Sequence, residues 1–521
     1  MSKNYVSDMS DKGGRRKKRT RRPMALADWF GLACAILLVA CSVILYIQLL
    51  ATNMVPDKLL VLLAAVLLVI NALHLVAQLP RWRNKLIKLV CGVLSLVICA
   101  GMIYGISAMD SVQSTLLNIT GEMSEQDVSY VVVLKDNPAE TISDTEEYQF
   151  GILSQGDATN TSALMDAIAE GLNITPATTS FDAITDLVDA LYAQEVDTIV
   201  LNEGYISLME NMDEYADFSQ RTRIIYEFTT LREVEPIEPN PAITKEPFVV
   251  YCSGIDSRYT DVNITSLSDV NILAVVNPET HQILLINTPR DYYVPMVSEP
   301  YAGMRDKLTH AGMIGVEESM KVLSNLYDVE AKYYIRVNFL GLKDIVDALG
   351  GIEVVSPEAF TTVPMYIIPT VSTRSYSFDA GPITLSGIEA VAFSRERKAF
   401  EDGDVQRGKN QMTVIKGIVN KATSPQILKS YDEVLKAVEG HFLTNMPYED
   451  ISALVRMQLR DMSGWNITSY TVSGYADYQP CASYGSTPLW VMWPEEADMS
   501  TAQTLIQQVL NGEVPTPPAK D

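Results

Sequence analysis

Three apolar runs lie close together in the first part of the chain: 29–50 (WFGLACAILLVACSVILYIQLL), 59–78 (LLVLLAAVLLVINALHLVAQ) and 86–106 (LIKLVCGVLSLVICAGMIYGI). Each is near the ~20 residues that a helix needs to cross a ~30 Å hydrocarbon layer. Peptide groups in lipid have no water to bond, so such runs are expected as three membrane-spanning helices. A signal peptide would be a single shorter run with a cleavage site, and that reading is rejected. The connector ATNMVPDK has no net charge, whereas RWRNKLIK carries four basic residues and KGGRRKKRTRRP precedes the first run. The positive-inside rule then puts the arm 1–28 and RWRNKLIK in the cytoplasm, with the chain beyond about residue 108 outside.

Charge supports that division. Residues 1–108 hold 14 Lys/Arg against 4 Asp/Glu, and the remainder holds 26 against 60. A strongly acidic folded part argues against nucleic acid as a partner. Four of the six cysteines (Cys34, Cys41, Cys91, Cys99) fall inside the apolar runs, where a thiol is a small packing group. Cys252 and Cys481 lie outside them, and sequence leaves open whether they form a disulfide or stay as two thiols. No CxxC and no His/Cys cluster suggests zinc, and the four histidines are scattered.

The expected organisation is α/β beyond the membrane helices at 29–107. Residues 108–127 are polar and irregular, fit for a stalk. Within 120–232, VSYVVVL, QFGIL and DTIVLN read as strands and ALMDAIAEGL and DAITDLVDALYAQ as amphipathic helices, a small accessory α/β domain without a recognisable catalytic motif. A Pro-rich linker, 233–246, leads to a second α/β domain, 247–425, and a C-terminal extension, 426–521, packs on it. In the second domain FVVYCSGID, DVNILAVVN and QILLINTPR read as strands. GVEESMKVLSNLYD, FLGLKDIVDALGG, SGIEAVAF (with a Ser386/Glu389 capping-box spacing) and DVQRGKNQMTVIKGIVNKA read as helices.

Polar residues at strand and helix ends mark where such folds place their sites. Asp256 ends the first strand of this domain, Asp269 starts the second, and Arg290 with Asp291 ends the third. Arg395 and Arg397 follow a capped helix, and Arg407 and Gln411 share a helix face behind Asp404. Arginine forks match phosphate oxygens, and carboxylates beside phosphate suit a hard divalent ion, so the set fits a pyrophosphate held by arginines and Mg²⁺. Taken singly, each of these residues also fits a structural ion pair, a solvated charge run or an ordinary turn.

In order and spacing, GIDSR (254–258), LSDVNILAVVNP (267–278), INTPRDYYVP (286–295), KLTHA (307–311), LGGIEV (349–354) and LSGIEAVAFSRERKAFEDGDVQRGKNQ (385–411) resemble the LytR-CpsA-Psr (LCP) proteins of bacterial envelopes. The three apolar runs and the accessory unit look like the capsule-type, CpsA-like subgroup. The resemblance implies an α-β-α domain with a mixed sheet, acting as a glycopolymer–peptidoglycan phosphotransferase. The donor would be a polyprenyl-pyrophosphate-linked glycan, capsular or teichoic acid-like, and the acceptor peptidoglycan. Asp256 and Asp269 would hold Mg²⁺ (or Mn²⁺). Arg290, Arg395, Arg397 and Arg407 would clamp the pyrophosphate with support from Gln411, and Asp291 and Asp404 would orient arginines or assist proton transfer. The apolar sides of the sheet and last helix would take the prenyl tail. Capsule or wall-polymer biosynthesis proteins are implied as further partners, and a bacterial cell membrane as the location. Many members carry an arginine where this chain has Leu267. Two other readings of the same residues are a lipid-linked-glycan binding regulator and a polyprenyl pyrophosphatase.

Overall fold

The computed structural model of the chain describes residues 26–78, 85–120, 124–210, 212–255, 262–365, 367, 372–401 and 403–518. The basic arm through residue 25, and Asp256, lie outside them. The described residues fall into two units, one of the apolar helices and one of nearly everything from residue 108 onward.

The first unit contains α1 (Leu26–Ala51), α2 (Asp57–Ala77) and most of α3 (Lys85–Thr120). All three are long and apolar enough to cross a membrane. They pack through Leu38, Cys41, Leu67, Cys99 and Met102, while Ile36, Val61, Leu68 and Val97 face outward. An outward apolar surface suits lipid and would be costly in water. The irregular stalk expected over 108–127 is a correction: α3 runs unbroken to Thr120. No glycine or proline interrupts 106–120, and Gly121 follows.

In the second unit the accessory sheet has the order β3-β2-β4-β1-β5. Its parts are β1 (Ser124–Leu134), β2 (Gln149–Leu153), α4 (Ala158–Leu172), β3 (Ala177–Phe181), α5 (Ile184–Tyr192), β4 (Thr198–Asn202), α6 (Glu203–Glu210), α7 (Phe218–Arg221) and β5 (Thr222–Glu233). Strand alternation sorts the two faces. Val131 and Val200 meet α4 through Leu164 and Ile168, whereas Tyr130, Val132, Ile199 and Leu201 meet α5 through Ile184, Leu187 and Leu191. The second face also packs on Ile264, Leu267, Tyr293, Met313 and Tyr484, so both domains share one core. The segment after β5 is not a loose tether. Ile243 is buried with Phe248, and the Asn240 N–H donates to Asp450 at 2.8 Å.

The larger sheet is built from β6 (Phe248–Ile255), β7 (Ser268–Asn277), β8 (Gln282–Asn287) and, beyond the short hairpin β9 (Tyr293–Pro295) and β10 (Arg305–Lys307), β11 (Tyr333–Asn338). Between β10 and β11 lie α8 (Leu308–Ile314) and α9 (Val316–Tyr327). After β11 come α10 (Phe339–Ala348), β12 (Ile352–Ser356), β13 (Phe360–Thr361), β14 (Ser377–Phe378), β15 (Gly381–Leu385), α11 (Gly387–Arg395), α12 (Gly403–Ala422) and α13 (Ile427–Val438). The chain ends with β16 (Phe442–Thr444), α14 (Tyr448–Asp461), β17 (Asn466–Thr471), β18 (Gly474–Cys481), β19 (Gly485–Pro494) and α15 (Glu496–Leu510). The sheet order is β16-β11-β6-β7-β8-β17, mixed, with β6–β7–β8 antiparallel and β11 and β17 parallel to their inner neighbours. The segment after residue 425 therefore completes the sheet at both edges through β16 and β17, and also packs on its faces through α14 and α15. α8, α9 and α15 cover one face, and α12 and α14 cover the other, giving α-β-α layers. The stretch around Cys481, which reads as a loop, is the β18–β19 hairpin. Cys252 on β6 and Cys481 on β18 are both free thiols, so no disulfide joins them.

Candidate active site

Pro289 follows the buried strand β8 and opens a tight turn, in which the Tyr292 N–H donates to the Pro289 carbonyl at 3.1 Å. The turn is pinned on both sides. Arg290 O accepts from Thr309 N at 2.8 Å, and Asp291 O from Met492 N at 2.8 Å. Arg290 thus leaves the sheet beside Asp269, second residue of the neighbouring β7. Its Nη1 donates to Asp269 Oδ1 at 2.7 Å, and its Nε lies 3.6 Å from Asp291 Oδ2. Lys307 closes the chain of charges, 2.9 Å from Asp291 Oδ1. Lys307, the first residue of KLTHA, was given no role from the sequence, and it reaches the site because β10 pairs with β9.

The second wall comes from α11 and α12. Gly408 lets α12 approach the end of β8, since a Cβ there would stand 2.0 Å from the Asn287 amide. Two carboxamides tie α12 to the end of α11: Asn410 donates to Phe393 O at 3.2 Å and Gln411 to Ser394 O at 3.4 Å. This fixes Arg395, whose guanidinium lies 4.6 Å over the Phe339 ring. Arg407 sits 3.0 Å from Asp404 Oδ1, and Arg397, the most exposed of the four arginines, 4.0 Å from it. Asp404 lies in the first turn of α12 and does not cap it. Glu396 is no solvated charge. It is buried and accepts from the Val363 and Ala399 N–H groups.

Electrostatics bind the two walls together. Burial by itself would raise the Asp269 carboxyl, but Arg290, Arg407 and Arg395 together hold it below the usual carboxylate value. Burial likewise opposes Asp291, which Lys307 and Arg290 hold low. Asp269 raises the Arg290 pKa, whereas burial lowers that of Arg407 against the pull of Asp269 and Asp404. Among the described residues five cations (Arg290, Lys307, Arg395, Arg397, Arg407) face three carboxylates (Asp269, Asp291, Asp404). Arg290 Nε is buried without a hydrogen bond, and Asp404 Oδ1, also buried, is held by its ion pairs with Arg407 and Arg397. The cluster is a cationic, part-desolvated site within an acidic surround.

A cavity of about 310 Å³ runs between the sheet and α10 and α12, lined by Val250, Ala274, Ile283, Ile335, Ile415 and Val419 among others. Ser394, Gln411 and Phe339 are also among its lining residues, and Phe339 lies under the Arg395 guanidinium. An apolar slot thus meets the arginine cluster. Leu267, where an arginine was expected, points elsewhere; it is buried in the core shared with the accessory sheet. Of the sequence-derived set, Asp269, Arg290, Asp291, Arg395, Arg397, Asp404, Arg407 and Gln411 come together, and Asp256 lies outside the described residues.

This combination of a mixed α-β-α sheet, a strand-end Arg–Asp turn and two helices bearing arginines defines a class of α/β domains. The LytR_cpsA_psr family model matches residues 215–491, and the chain belongs to that family. It is 34% identical over 207 residues to the polyisoprenyl-teichoic acid–peptidoglycan teichoic acid transferase TagU of Bacillus licheniformis, a match over 40% of this chain and 62% of that protein. It is 33% identical over 241 residues to TagU of Enterococcus faecalis, covering 46% and 74% respectively. The chain therefore spans somewhat less than two thirds of the Bacillus relative. The crystal structure of TagV from B. subtilis aligns with a TM-score of 0.41 at 22% identity, over 51% of this chain and 98% of that one.

Proposed function

We propose that this protein is a membrane-anchored transferase, attaching a polyprenyl-pyrophosphate-linked glycopolymer to peptidoglycan. The observation that carries the reading is the junction of the arginine cluster with the apolar cavity. A prenyl pyrophosphate is the ligand with that division, an apolar tail joined to a diphosphate. TagU relatives named for transfer of polyisoprenyl-linked teichoic acid to peptidoglycan support the donor and acceptor classes. The three apolar helices support anchoring, and the basic connector supports an outward-facing site.

The reaction balances simply. A peptidoglycan hydroxyl oxygen forms a bond to the sugar-linked phosphorus, the bond from that phosphorus to the bridging oxygen breaks, and polyprenyl phosphate leaves. The hydroxyl proton passes to a carboxylate or to solvent. Such a reaction needs positioning and charge neutralisation more than a covalent nucleophile. Arg290, with its Nε unbonded and its plane fixed by Asp269 and Asp291, would meet a phosphate oxygen. Arg395, Arg397 and Arg407 would meet the other oxygens, and Gln411 would hold the α11 end in place. Carboxylate oxygens are the hard donors that Mg²⁺ or Mn²⁺ takes, and Asp269 with Asp256 would hold such an ion. Such an ion would supply charge neutralisation at the pyrophosphate.

The test uses full-length protein in detergent with a polyprenyl-pyrophosphate-linked glycan and peptidoglycan. Expected are Mg²⁺-dependent release of polyprenyl phosphate and glycan covalently on the peptidoglycan. Binding without release would move the reading to a regulator. Release with no glycan on the acceptor would make the protein a pyrophosphatase.

A further inference from the structure

Three donors of different chemistry meet beside the core shared by the two sheets. Asp306 lies in β10, His310 follows one turn later in α8, and Cys481 ends β18, far along the chain. Their ligand atoms all lie within 4.8 Å of one another, and the residues are 1%, 4% and 1% exposed. We propose that Asp306, His310 and Cys481 form a zinc site, separate from the pyrophosphate site.

Imidazole nitrogen, carboxylate oxygen and thiolate sulfur form a donor set for a borderline-soft ion. Mg²⁺ and Ca²⁺, which take oxygen, are poorly matched to it. A carboxylate and a thiolate also balance a dication, so the filled site is neutral where a net charge would be costly. The geometry converges on one nitrogen. His310 Nδ1 is 2.6 Å from Asp306 Oδ1 and 3.0 Å from the Ser483 hydroxyl. Because both contacts use Nδ1, the trio is not a Ser–His–Asp relay, which uses opposite ring nitrogens. It is instead a focus where an ion takes Nδ1, with Ser483 Oγ or a water as the fourth donor. Asp306 Oδ2 accepts from the Ser483 N–H at 2.7 Å, the outer hydrogen bond that orients a ligating carboxylate. The Cys481 thiol has no disulfide partner and makes a weak hydrogen bond to Gln479 O at 3.9 Å.

The consequence reaches the active site. Asp306 precedes Lys307, which holds Asp291, and Thr309, one residue before His310, bonds the Arg290 carbonyl. Zinc would staple the β18–β19 hairpin to the corner that sets Arg290.

Full-length protein, purified in detergent without chelator and equilibrated with zinc, is desalted and its metal counted by mass spectrometry. Cobalt is then exchanged in, and the near-ultraviolet thiolate-to-cobalt band recorded. Expected are about one zinc per chain and a thiolate band. Cys481→Ser and His310→Gln should each weaken binding by about tenfold or more, and Cys252→Ser should leave it unchanged. Trace zinc in folded wild-type protein, cobalt bound without a thiolate band, or zinc retained by Cys481→Ser would each overturn the proposal.

Discussion

Arg290 is the residue on which most of the site's charge logic converges, because it holds Asp269 directly and Asp291 at longer range. On the proposed function, its replacement by alanine would remove a donor to the phosphate and leave two carboxylates facing the substrate. Polyprenyl phosphate release should fall by about 10²–10³-fold. Arg290→Lys restores the charge but not the fork, so it should recover only part of that loss, read as initial rate at saturating donor. A second residue-scale prediction concerns Asp157 before α4, whose carboxyl is pushed up to about 7 chiefly by burial, against a hydrogen bond from Asn160. The folded protein then keeps a proton that the unfolded chain loses above its ordinary value of 3.8. That contribution to stability is complete below the ordinary value and is lost as pH rises through about 7. Asp157→Asn should raise Tm at pH ~8 and flatten the fall in Tm between pH ~5 and ~8. Unchanged melting curves for the variant would refute this. At this scale the sequence was informative about groups at strand and helix ends, since an Arg–Asp pair behind a buried strand has few places to go. It gave Lys307 no role and did not bring Asp306, His310 and Cys481 together, because their meeting depends on a hairpin and a strand pairing, not on spacing.

Among the elements, β6, β7 and β8 were readable because buried strands are rich in β-branched residues and end at turn formers. The helices were readable from their 3–4 spacing. The β18–β19 hairpin was not, because Pro480 and Pro488 face each other across it and prolines argue for loop. A two-stranded ribbon is all edge, and there a missing N–H is tolerated. Likewise β16 and β17 look like parts of an appended segment, and only strand pairing shows that they complete the sheet. The cavity between sheet and α12 yields an element-scale prediction. Ala274 on β7 is small, buried and lines it. Ala274→Phe would fill the space proposed for a prenyl tail, without replacing any of the arginines. Affinity for polyprenyl phosphate should drop about tenfold or more with Tm kept or raised. Unaltered affinity would mean that the cavity is a packing defect and the tail binds elsewhere.

At the scale of the whole second unit, the question is whether the accessory sheet is a separate body or part of one folding unit. Two features favour one unit. The α5 face of the accessory sheet packs on Leu267, Tyr293 and Met313 of the larger domain, and the two meet at a buried ion pair. Glu125 on β1 and Arg336 on β11 are each 2% exposed or less, 3.3 Å apart. Glu125 also accepts from the Val316 N–H at 3.0 Å and from Arg232. Replacing such a pair with apolar groups can be neutral, but removing one partner strands the other charge in a dry core. Glu125→Ala should therefore destabilise the protein by about 3–5 kcal/mol in urea unfolding, far more than a surface carboxylate would. The loss should also be shared. Hydrogen exchange at Val131 and Val200 of the accessory sheet and at Leu273 and Leu284 of the larger sheet should accelerate together, as expected when both open only by global unfolding. If Glu125→Ala speeds exchange in the accessory strands alone, the shared core does not couple the sheets, and the accessory part opens as an independent domain.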